Sequence, residues 1–356
     1  MHIVYISTCY AIVNEKPVLT VFPEIQMAYS PPIRGIPLLP GNIISAHPES
    51  SLKYPPVFAI LPVCEGKYMT SGFTTFGQEL YQDICIRAIE KFYHITDHDL
   101  LLESISGILP QPSGKTRRRL AEKLVQRHFS GPGSGSHSMP FLRLVANLSD
   151  IRGKNDLIYW RTASTDSLIS AITSEVFYPF FILNTIPDGY SDESFNLINT
   201  GSLFSMDRII TTDLVINYAK TVWDFTSAKS IRLALRIMRQ AELIDAMHTR
   251  KGRKTILGYY PNPHAMSANV FAFCLYEELL VGRSLLTPSL NQVQSADASK
   301  LFFMSRPQVD SMLKTLEKKG LVEMVNQHGG RYVRLTIPDM DTLVGNLIEN
   351  QQRRDR

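Results

Sequence analysis

Two groups of residues have the side-chain types that metal-dependent chemistry requires. Glu65 and Lys67 form a Glu-x-Lys triplet in a strand-like stretch, and Glu49 lies upstream of it. Carboxylates beside a lysine could bind Mg²⁺, and the metal ion could then promote hydrolysis of phosphodiesters, as in a restriction-type nuclease. His94 and His98 are four residues apart, so they could share a metal ion on one face of a helix. A cryptic nuclease and a two-histidine metal site are therefore two alternatives.

Neither set of residues is complete. No aspartate precedes Asp83, so only Glu49 is available as the second carboxylate of the nuclease pattern. No glutamate directly follows His94, and the sequence places no third metal ligand. The stretch from Gly107 to Gly114 resembles a phosphate loop, but six residues separate its glycines where the loop has four. We therefore expect no catalytic residue, no metal and no cofactor, and a protein that is not an enzyme.

Positive charge is concentrated in three segments, although the net charge of the chain is only +4. Segment 107–131 has six Lys or Arg and one acidic residue, and segment 226–260 has eight and two. Segment 305–334 has six and three. Clusters of this kind on an otherwise acidic chain are typical of surfaces that bind nucleic acid.

The predicted elements that must position these cations indicate an α+β protein. Short apolar runs between prolines and glycines predict strands in the N-terminal part, and helical periodicity begins near Gly77. We predict a β-rich N-terminal domain over 1–77, a helical domain over 78–200, a first winged-helix-like unit over 201–262, a C-terminal winged helix over 263–346 and a basic tail over 347–356.

The C-terminal unit has the clearest pattern. Helices are predicted over 269–280 and 290–303, and a third helix starts with Ser305 as its N-cap and ends at Gly320. Two alternating strands follow, joined by a tight turn at 328–330. This order is that of a winged helix-turn-helix, whose third helix lies in the major groove of DNA. The candidate DNA-binding residues here are Arg306, Gln308, Ser311, Lys314, Lys318 and Arg331.

The preceding unit repeats this plan more loosely. A helix is predicted over 211–225, a second helix follows with Ser227 as its N-cap, and two strands flank a basic tip. Four cations of the second helix lie on one face at i, i+3, i+7 and i+10, and no acidic residue lies inside the helix. An anionic partner would relieve their mutual repulsion. The candidates are Lys229, Arg232, Arg236 and Arg239 in the helix, and Arg250, Lys251, Arg253 and Lys254 at the tip.

A third basic segment follows Ser113, the predicted N-cap of another helix. Its cations suit contacts with a DNA backbone, and a solvated helix face is the alternative interpretation. The candidates are Lys115, Arg117, Arg118 and Arg119, and the same basic pattern continues to Lys123 and Arg127.

Three segments, 115–128, 156–177 and 227–245, resemble a known family in their order and in their pattern of residue types. They resemble BrxA, the helical DNA-binding component of BREX phage-exclusion systems, over about residues 80–262. In that family an arginine-rich helix precedes paired helices, and a winged-helix-like unit ends the fold. The resemblance implies a non-enzymatic DNA-binding role in bacterial defence. The β-rich N-terminal region and the C-terminal winged helix are additional to that family.

The remaining composition narrows the class of protein. The four cysteines form no Cys-x-x-Cys pair, which favours a reducing cytoplasm over a disulfide framework. The sequence reads without an apolar run of 18 residues, so we expect no membrane span. We therefore expect a cytoplasmic protein that binds double-stranded DNA, in transcription control or phage defence. A scaffold subunit whose winged helices bind protein partners is the main alternative, and a homo-oligomer is compatible with either function.

Overall fold

The computed structural model describes residues 8–13, 16–21, 81–92, 95, 97–130, 139–185, 209–251, 254–263, 266–327 and 329–354 of the chain. They belong to two compact units, Met1–Phe58 and Ala59–Arg356. Within Met1–Phe58, strands β1 (Thr8–Val13) and β2 (Lys16–Val21) pair as an antiparallel hairpin, in segments that the sequence predicts as strands. The strands predicted over 57–64 and 67–73 lie outside the described residues.

The part of the chain from Ala59 to Arg356 begins with a helical body. Its helices and the strands of the chain make this a mixed α+β protein, as predicted. Two π-helical segments interrupt the helical body, π1 (Val125–Phe129) directly after α3 and π2 (Ile172–Phe177) between α6 and α7. Asp97 starts α2 by accepting a hydrogen bond from the backbone N–H of Leu100 at 2.9 Å, as its sequence position predicts. The α-helices are α1 (Gln82–Phe92), α2 (His98–Ile108), α3 (Gly114–Leu124), α4 (Met139–Asn147), α5 (Ile151–Thr165), α6 (Ser167–Ala171) and α7 (Tyr178–Thr185).

The continuous helical run Ser167–Asn184 is long and apolar enough to cross a membrane by length and composition alone. The sequence analysis did not identify this stretch as a candidate membrane span. Two thirds of this window is buried inside the protein, 67%, which is what the core helix of a folded body also shows. Its residues pack against the elements around it, among them α12 and β5 described below.

Residues 209–263, called here the first unit, place two helices against a small antiparallel sheet. Ser227 starts the second helix by accepting a hydrogen bond from the N–H of Ser230, as predicted. Gly258 lets the Ile209 side chain pack closely against the central strand, because a Cβ there would lie 2.6 Å from Cδ1 of Ile209. The elements are β3 (Ile210–Thr211), α8 (Thr212–Val222), α9 (Ala228–Gln240), β4 (Ile244–Lys251) and β5 (Lys254–Pro261), with the strand order β3-β5-β4.

Residues 266–354, called here the C-terminal unit, have a related order. The N–H groups of Val333 and Leu335 donate to the carbonyls of Pro288 and Leu286, so a short segment pairs with β7 on the side away from β6. This order matches β3-β5-β4 of the first unit. The elements are α10 (Ala268–Tyr276), π3 (Glu277–Gly282), α11 (Leu290–Gln294), α12 (Asp297–Leu301), α13 (Arg306–Lys318), β6 (Val322–Gln327), β7 (Gly330–Leu335) and α14 (Met340–Arg354).

The predicted helix over 290–303 is two short helices instead of one. The carboxylate of Glu278 accepts hydrogen bonds at 2.9 Å from the N–H groups of both Asp297 and Ala298. These groups therefore begin a new helix instead of continuing the old one. At the end of the chain the segment assigned to a basic tail is helical to Arg354, and its Leu347 is buried.

Candidate nucleic-acid interface

Helix α9 presents the exposed basic face that its sequence predicts. Ile231, Leu235 and Met238 are buried on the side that packs against the protein body. No acidic residue occurs between the first and last residue of the helix. The opposite face exposes Lys229, Arg232, Arg236 and Arg239. A row of phosphates laid along this face would meet several cations within two helical turns.

The hairpin that follows α9 in the sequence has a basic tip. Arg250 and Lys251 end strand β4, and Lys254 begins β5 directly opposite Lys251. Arg253 lies outside the described residues. The predicted hairpin is therefore present, and the backbone places at least three of its cations at the tip.

Helix α13 begins with a capping box. Oε1 of Gln308 accepts hydrogen bonds from the backbone N–H of Ser305 at 2.7 Å and from its Oγ at 2.8 Å. Ser305 is thus the N-cap that the sequence predicts, and Pro307 lies in the first turn. Gly320 follows the helix with φ +69°, where glycine is favoured. The capping role of Gln308 was missed by the sequence reasoning, which assigned this residue to base contacts alone.

The surface of α13 mixes charges of both signs. Asp310 accepts a hydrogen bond from Nε2 of Gln294 at 2.9 Å, and Glu317 accepts one from the N–H of Met324 at 3.0 Å. Both acids therefore stabilise the unit while they lower its positive potential. Arg306 is half-buried. The exposed candidates are Gln308, Ser311, Lys314 and Lys318 on the helix, and Arg331 on β7.

Helix α3 carries a third set of cations, some already paired. Arg118 lies 3.4 Å from Asp99 and 3.6 Å from Glu122. Ser113 is the N-cap by position, but its side chain makes no capping hydrogen bond. Lys115, Arg118 and Arg119 are exposed, and Arg117 and Lys123 are half-buried.

The prediction that Arg127 continues the basic surface of α3 is wrong. The side chain is fully buried, and its Nη2 lies 3.7 Å from Oδ2 of Asp166, which is also buried. The helix changes to π1 two residues earlier, so Arg127 points into the body instead of continuing the basic face of α3. Sequence periodicity could not foresee this, because the change of helix type alters the angular position of every residue that follows.

The most unusual part of the body is helix α5, which is buried although it is rich in polar residues. Thr162 Oγ1 lies 2.8 Å from Nδ1 of His128 in π1, and Tyr159 Oη lies 3.2 Å from Oγ1 of Thr173 in π2. Each of these π-helical segments therefore presents a polar partner to α5. Polar groups can be buried here because hydrogen bonds offset part of their lost hydration.

The third π-helical segment, π3, contacts the same turn of α5. Glu277 of π3 accepts a hydrogen bond from Nε1 of Trp160 at 2.6 Å and forms an ion pair with Nη1 of Arg161 at 2.6 Å. The Arg161 guanidinium also lies 4.5 Å from the centroid of the Phe141 ring. All these side chains are buried. Trp160 is thus a core residue, and the C-terminal unit is tied to the body by a buried ion pair.

Arg152, near the start of α5, ties the first unit to the same helix. Its Nη2 lies 3.0 Å from Oδ1 of Asp156, and its Nη1 lies 3.1 Å from Oε2 of Glu242. Nη1 also donates to the carbonyl of Ala241 at 3.4 Å. Ala241 and Glu242 directly follow α9, so Arg152 supports the C-terminal end of the basic helix. A cation at this end is also favoured by the helix dipole.

Burial shifts the proton affinity of two groups in this network. Burial raises the pKa of Asp156 to about 7, although the charge of Arg152 opposes the shift. Burial also lowers the pKa of His128 well below its usual value, and the charge of Arg127 adds to that effect. His128 is therefore neutral near pH 7, whereas Asp156 is close to half protonated.

The proposed metal and nuclease residues find no structural support among the described residues. No group of three or more His, Cys, Asp and Glu side chains suited to a metal ion occurs in the described part of the chain. His98 is the first residue of α2. His94, Glu49, Glu65 and Lys67 lie outside the described residues, so their alternatives stay predictions.

No protein-family model and no curated protein sequence matches the chain. Two solved structures are similar to it. One is described as an SspB crystal structure, with a TM-score of 0.44 and 13% identity, covering 81% of this chain and 90% of that chain. The other is described as a magnesium ion-bound SspB crystal structure, with a TM-score of 0.42 and 11% identity, covering 80% of this chain and 87% of that chain. Similarity at this level does not assign a function to the chain.

Proposed function

We propose that this protein binds double-stranded DNA without catalysing a reaction, and that its two C-terminal units are tandem winged helices. The observation that carries the proposal is the basic face of α9, with four exposed cations and no acidic residue in the helix. Cations in such a row repel one another by a few tenths of a kcal/mol per neighbouring pair. A polyanion turns that repulsion into attraction and releases counterions on binding.

The order of elements supports the winged-helix part of the proposal. In both units a helix directly before a hairpin follows an earlier helix, and a third segment pairs with the second hairpin strand. Helices α9 and α13 occupy the position of a recognition helix in this plan. Their buried faces hold them in place, and their other faces carry the candidate DNA-binding residues. The resemblance to BrxA agrees with this function and adds phage defence as its proposed setting.

The proposal predicts that charge reversal on α9 abolishes DNA binding. In the full-length variant Arg232→Glu, Arg236→Glu and Arg239→Glu, we expect affinity for duplex DNA to fall at least about 100-fold at low salt. The slope of log K against log salt concentration should fall by about three, because roughly 0.9 counterions are released per phosphate contact. Fluorescence anisotropy with a labelled duplex measures both quantities.

The control reverses two exposed cations of other helices, Arg87→Glu in α1 and Arg353→Glu in α14. Circular dichroism should show the same helix content and a similar melting temperature for both variants. Unchanged DNA affinity in the α9 variant, or an equal loss in the control, would contradict the placement of the interface.

A scaffold role is the second candidate, and one observation favours it. Asp310 and Glu317 dilute the positive face of α13, so this helix suits a mixed-charge protein surface better than α9 does. If wild-type protein shows no salt-dependent binding to duplex DNA at low salt, the DNA proposal fails and the scaffold role takes its place.

A further inference from the structure

The end of α8 and the segment just before α13 are both held by one short stretch of the helical body. Trp223, which directly follows α8, donates from Nε1 to Oε2 of Glu175 in π2 at 2.8 Å. Tyr178, three residues after Glu175, donates from its hydroxyl to the carbonyl of Met304 at 3.1 Å. Met304 is followed at once by Ser305, the N-cap of α13. Three residues correspond to about 4.5 Å along a helix axis, so the two connections lie roughly one turn apart.

Charge relationships place further residues of both units at this stretch. Burial raises the pKa of Glu175, and hydrogen bonds from Trp223 and Tyr218 together with the charge of Lys300 oppose the shift. Tyr218 and Trp223 belong to the first unit, whereas Lys300 lies in α12 of the C-terminal unit. Burial raises the pKa of Tyr178 to about 12, and the charge of Arg306 opposes that shift. Lys300 of α12, Arg306 at the start of α13 and side chains from the end of α8 therefore lie around this stretch.

The same part of the helical body also packs against the buried side of α9 and against the segment before α13. Oγ1 of Thr173 in π2 contacts Sδ of Met238 on the buried face of α9 at 3.9 Å. The ring of Phe181 in α7 lies 6.0 Å from the ring of Phe303, just before α13. Buried contacts of this kind restrict relative motion, because a packed interior deforms little. Among the described residues, buried contacts therefore hold both helices to the same body.

We infer that α9 and α13 form one composite interface, and that each chain binds a single continuous DNA duplex with both helices at a fixed separation. This inference rests on the proposed function. It differs from the usual expectation for tandem modules on a flexible linker, which could bind two separate duplexes or adapt to variable spacing. A rigid pair gains affinity because the second contact costs no further loss of orientation.

Stoichiometry tests the inference directly. Full-length protein is titrated with a duplex of about 24 base pairs, two helical turns, at concentrations far above Kd. We expect saturation at one duplex per chain. Two duplexes per chain would overturn the inference. If the wild-type protein binds no duplex at all, the proposed function fails first, and that result is distinguishable because no saturation point exists.

Charge reversals on the two helices provide the second arm. On the same duplex, Lys314→Glu with Lys318→Glu in α13 should weaken binding about 5-fold and lower the salt slope by about two. The α9 variant described above should weaken it more. On a duplex of about 10 base pairs, one turn, the α13 variant should lose most of its effect because the shorter DNA cannot reach both helices. An α13 variant with unchanged affinity and slope on the longer duplex would refute a shared site.

A third variant leaves every cation in place. Tyr178→Phe with Trp223→Phe removes the hydrogen bond between α7 and the segment before α13, and the hydrogen bond between π2 and the end of α8. We expect a several-fold weaker affinity for the longer duplex with the salt slope preserved, since the charges are the same and only their relative placement loosens. Equal affinity of this variant and the wild type, with both folded by circular dichroism, would contradict a fixed separation.

Discussion

The first unit and the C-terminal unit share an order of elements but differ in charge. Helix α9 exposes four cations without an acidic residue, whereas α13 interleaves Asp310 and Glu317 among its cations. The first residues of α13 are also committed to a capping box through Gln308. A uniform cationic face attracts any phosphate backbone, while a mixed face depends on how its partner is oriented. Under the proposed function, we therefore expect α9 to supply most of the affinity for DNA and α13 to supply orientation or specificity.

The two units also differ in how they are attached to α5. The C-terminal unit is held by Arg161 and Glu277, which are both buried, at 2.6 Å. The first unit is held by Arg152 and Glu242 at 3.1 Å, and the Glu242 side chain is 65% exposed. Charge pairs removed from water depend much more on both partners than exposed pairs do. The attachment of the first unit is therefore the weaker of the two.

The largest expected effect comes from breaking the buried attachment. Glu277→Gln leaves the Arg161 guanidinium buried without a counter-charge, and we expect the free energy of unfolding to fall by about 3 kcal/mol. Glu242→Gln is the matched control at the exposed attachment and should cost less than about 1 kcal/mol. Urea denaturation measures both. Similar losses in the two variants would remove the contrast between the attachments.

The next effect is a pH dependence that only the first attachment contains. The pKa of Asp156 is raised to about 7 from 3.8, so the folded protein binds more protons than the unfolded chain between these values. Stability from this group therefore falls as pH rises from about 4 to about 7. In Asp156→Asn this fall should be smaller by on the order of 2 to 4 kcal/mol, at about 1.4 kcal/mol per pKa unit.

Denaturation of the Asp156→Asn variant and the wild type at a series of pH values isolates this group, since all other titrating groups are common to both. The variant should be relatively more stable at pH 8 than at pH 4. Parallel stability profiles would show that Asp156 has an ordinary pKa in the folded protein.

A smaller effect separates capping from DNA contact at the start of α13. Gln308→Ala removes the acceptor of two hydrogen bonds, and we expect a loss of about 1 kcal/mol in the free energy of unfolding. Gln308→Glu retains the acceptor and should recover most of that stability. Thermal melts check this order. If Gln308→Ala left stability unchanged but weakened DNA binding strongly, base contact would be its main role.

Local signals in the sequence correctly predicted helix ends and hairpins in the first unit and the C-terminal unit. Ser227, Ser305 and Gly320 mark helix ends because their chemistry satisfies backbone groups or permits a positive φ. The basic face of α9 and the two hairpins followed from periodicity in the same way. These features are local, so a short stretch of sequence is enough to predict them.

The features that the sequence could not predict depend on distant partners. Nothing near Arg161 indicates that Glu277, more than 100 residues later, neutralises it in the core. Arg127 was assigned to a basic surface because it continues the basic pattern of α3, and its buried partner Asp166 lies at the distant junction of α5 and α6. The split of the predicted helix over 290–303 has the same origin, since Glu278 supplies the carboxylate that starts α12.

The most direct test of the account compares salt dependence for matched pairs of charge reversals. Arg232→Glu with Arg236→Glu on α9 should lower the slope of log K against log salt by about two and weaken binding at least about 50-fold. Lys314→Glu with Lys318→Glu on α13 should weaken it only about 5-fold, and Arg87→Glu with Arg353→Glu, which changes net charge equally, should leave both affinity and slope nearly unchanged. Equal losses for all three pairs, or a larger loss for α13 than for α9, would contradict the assignment of affinity to α9.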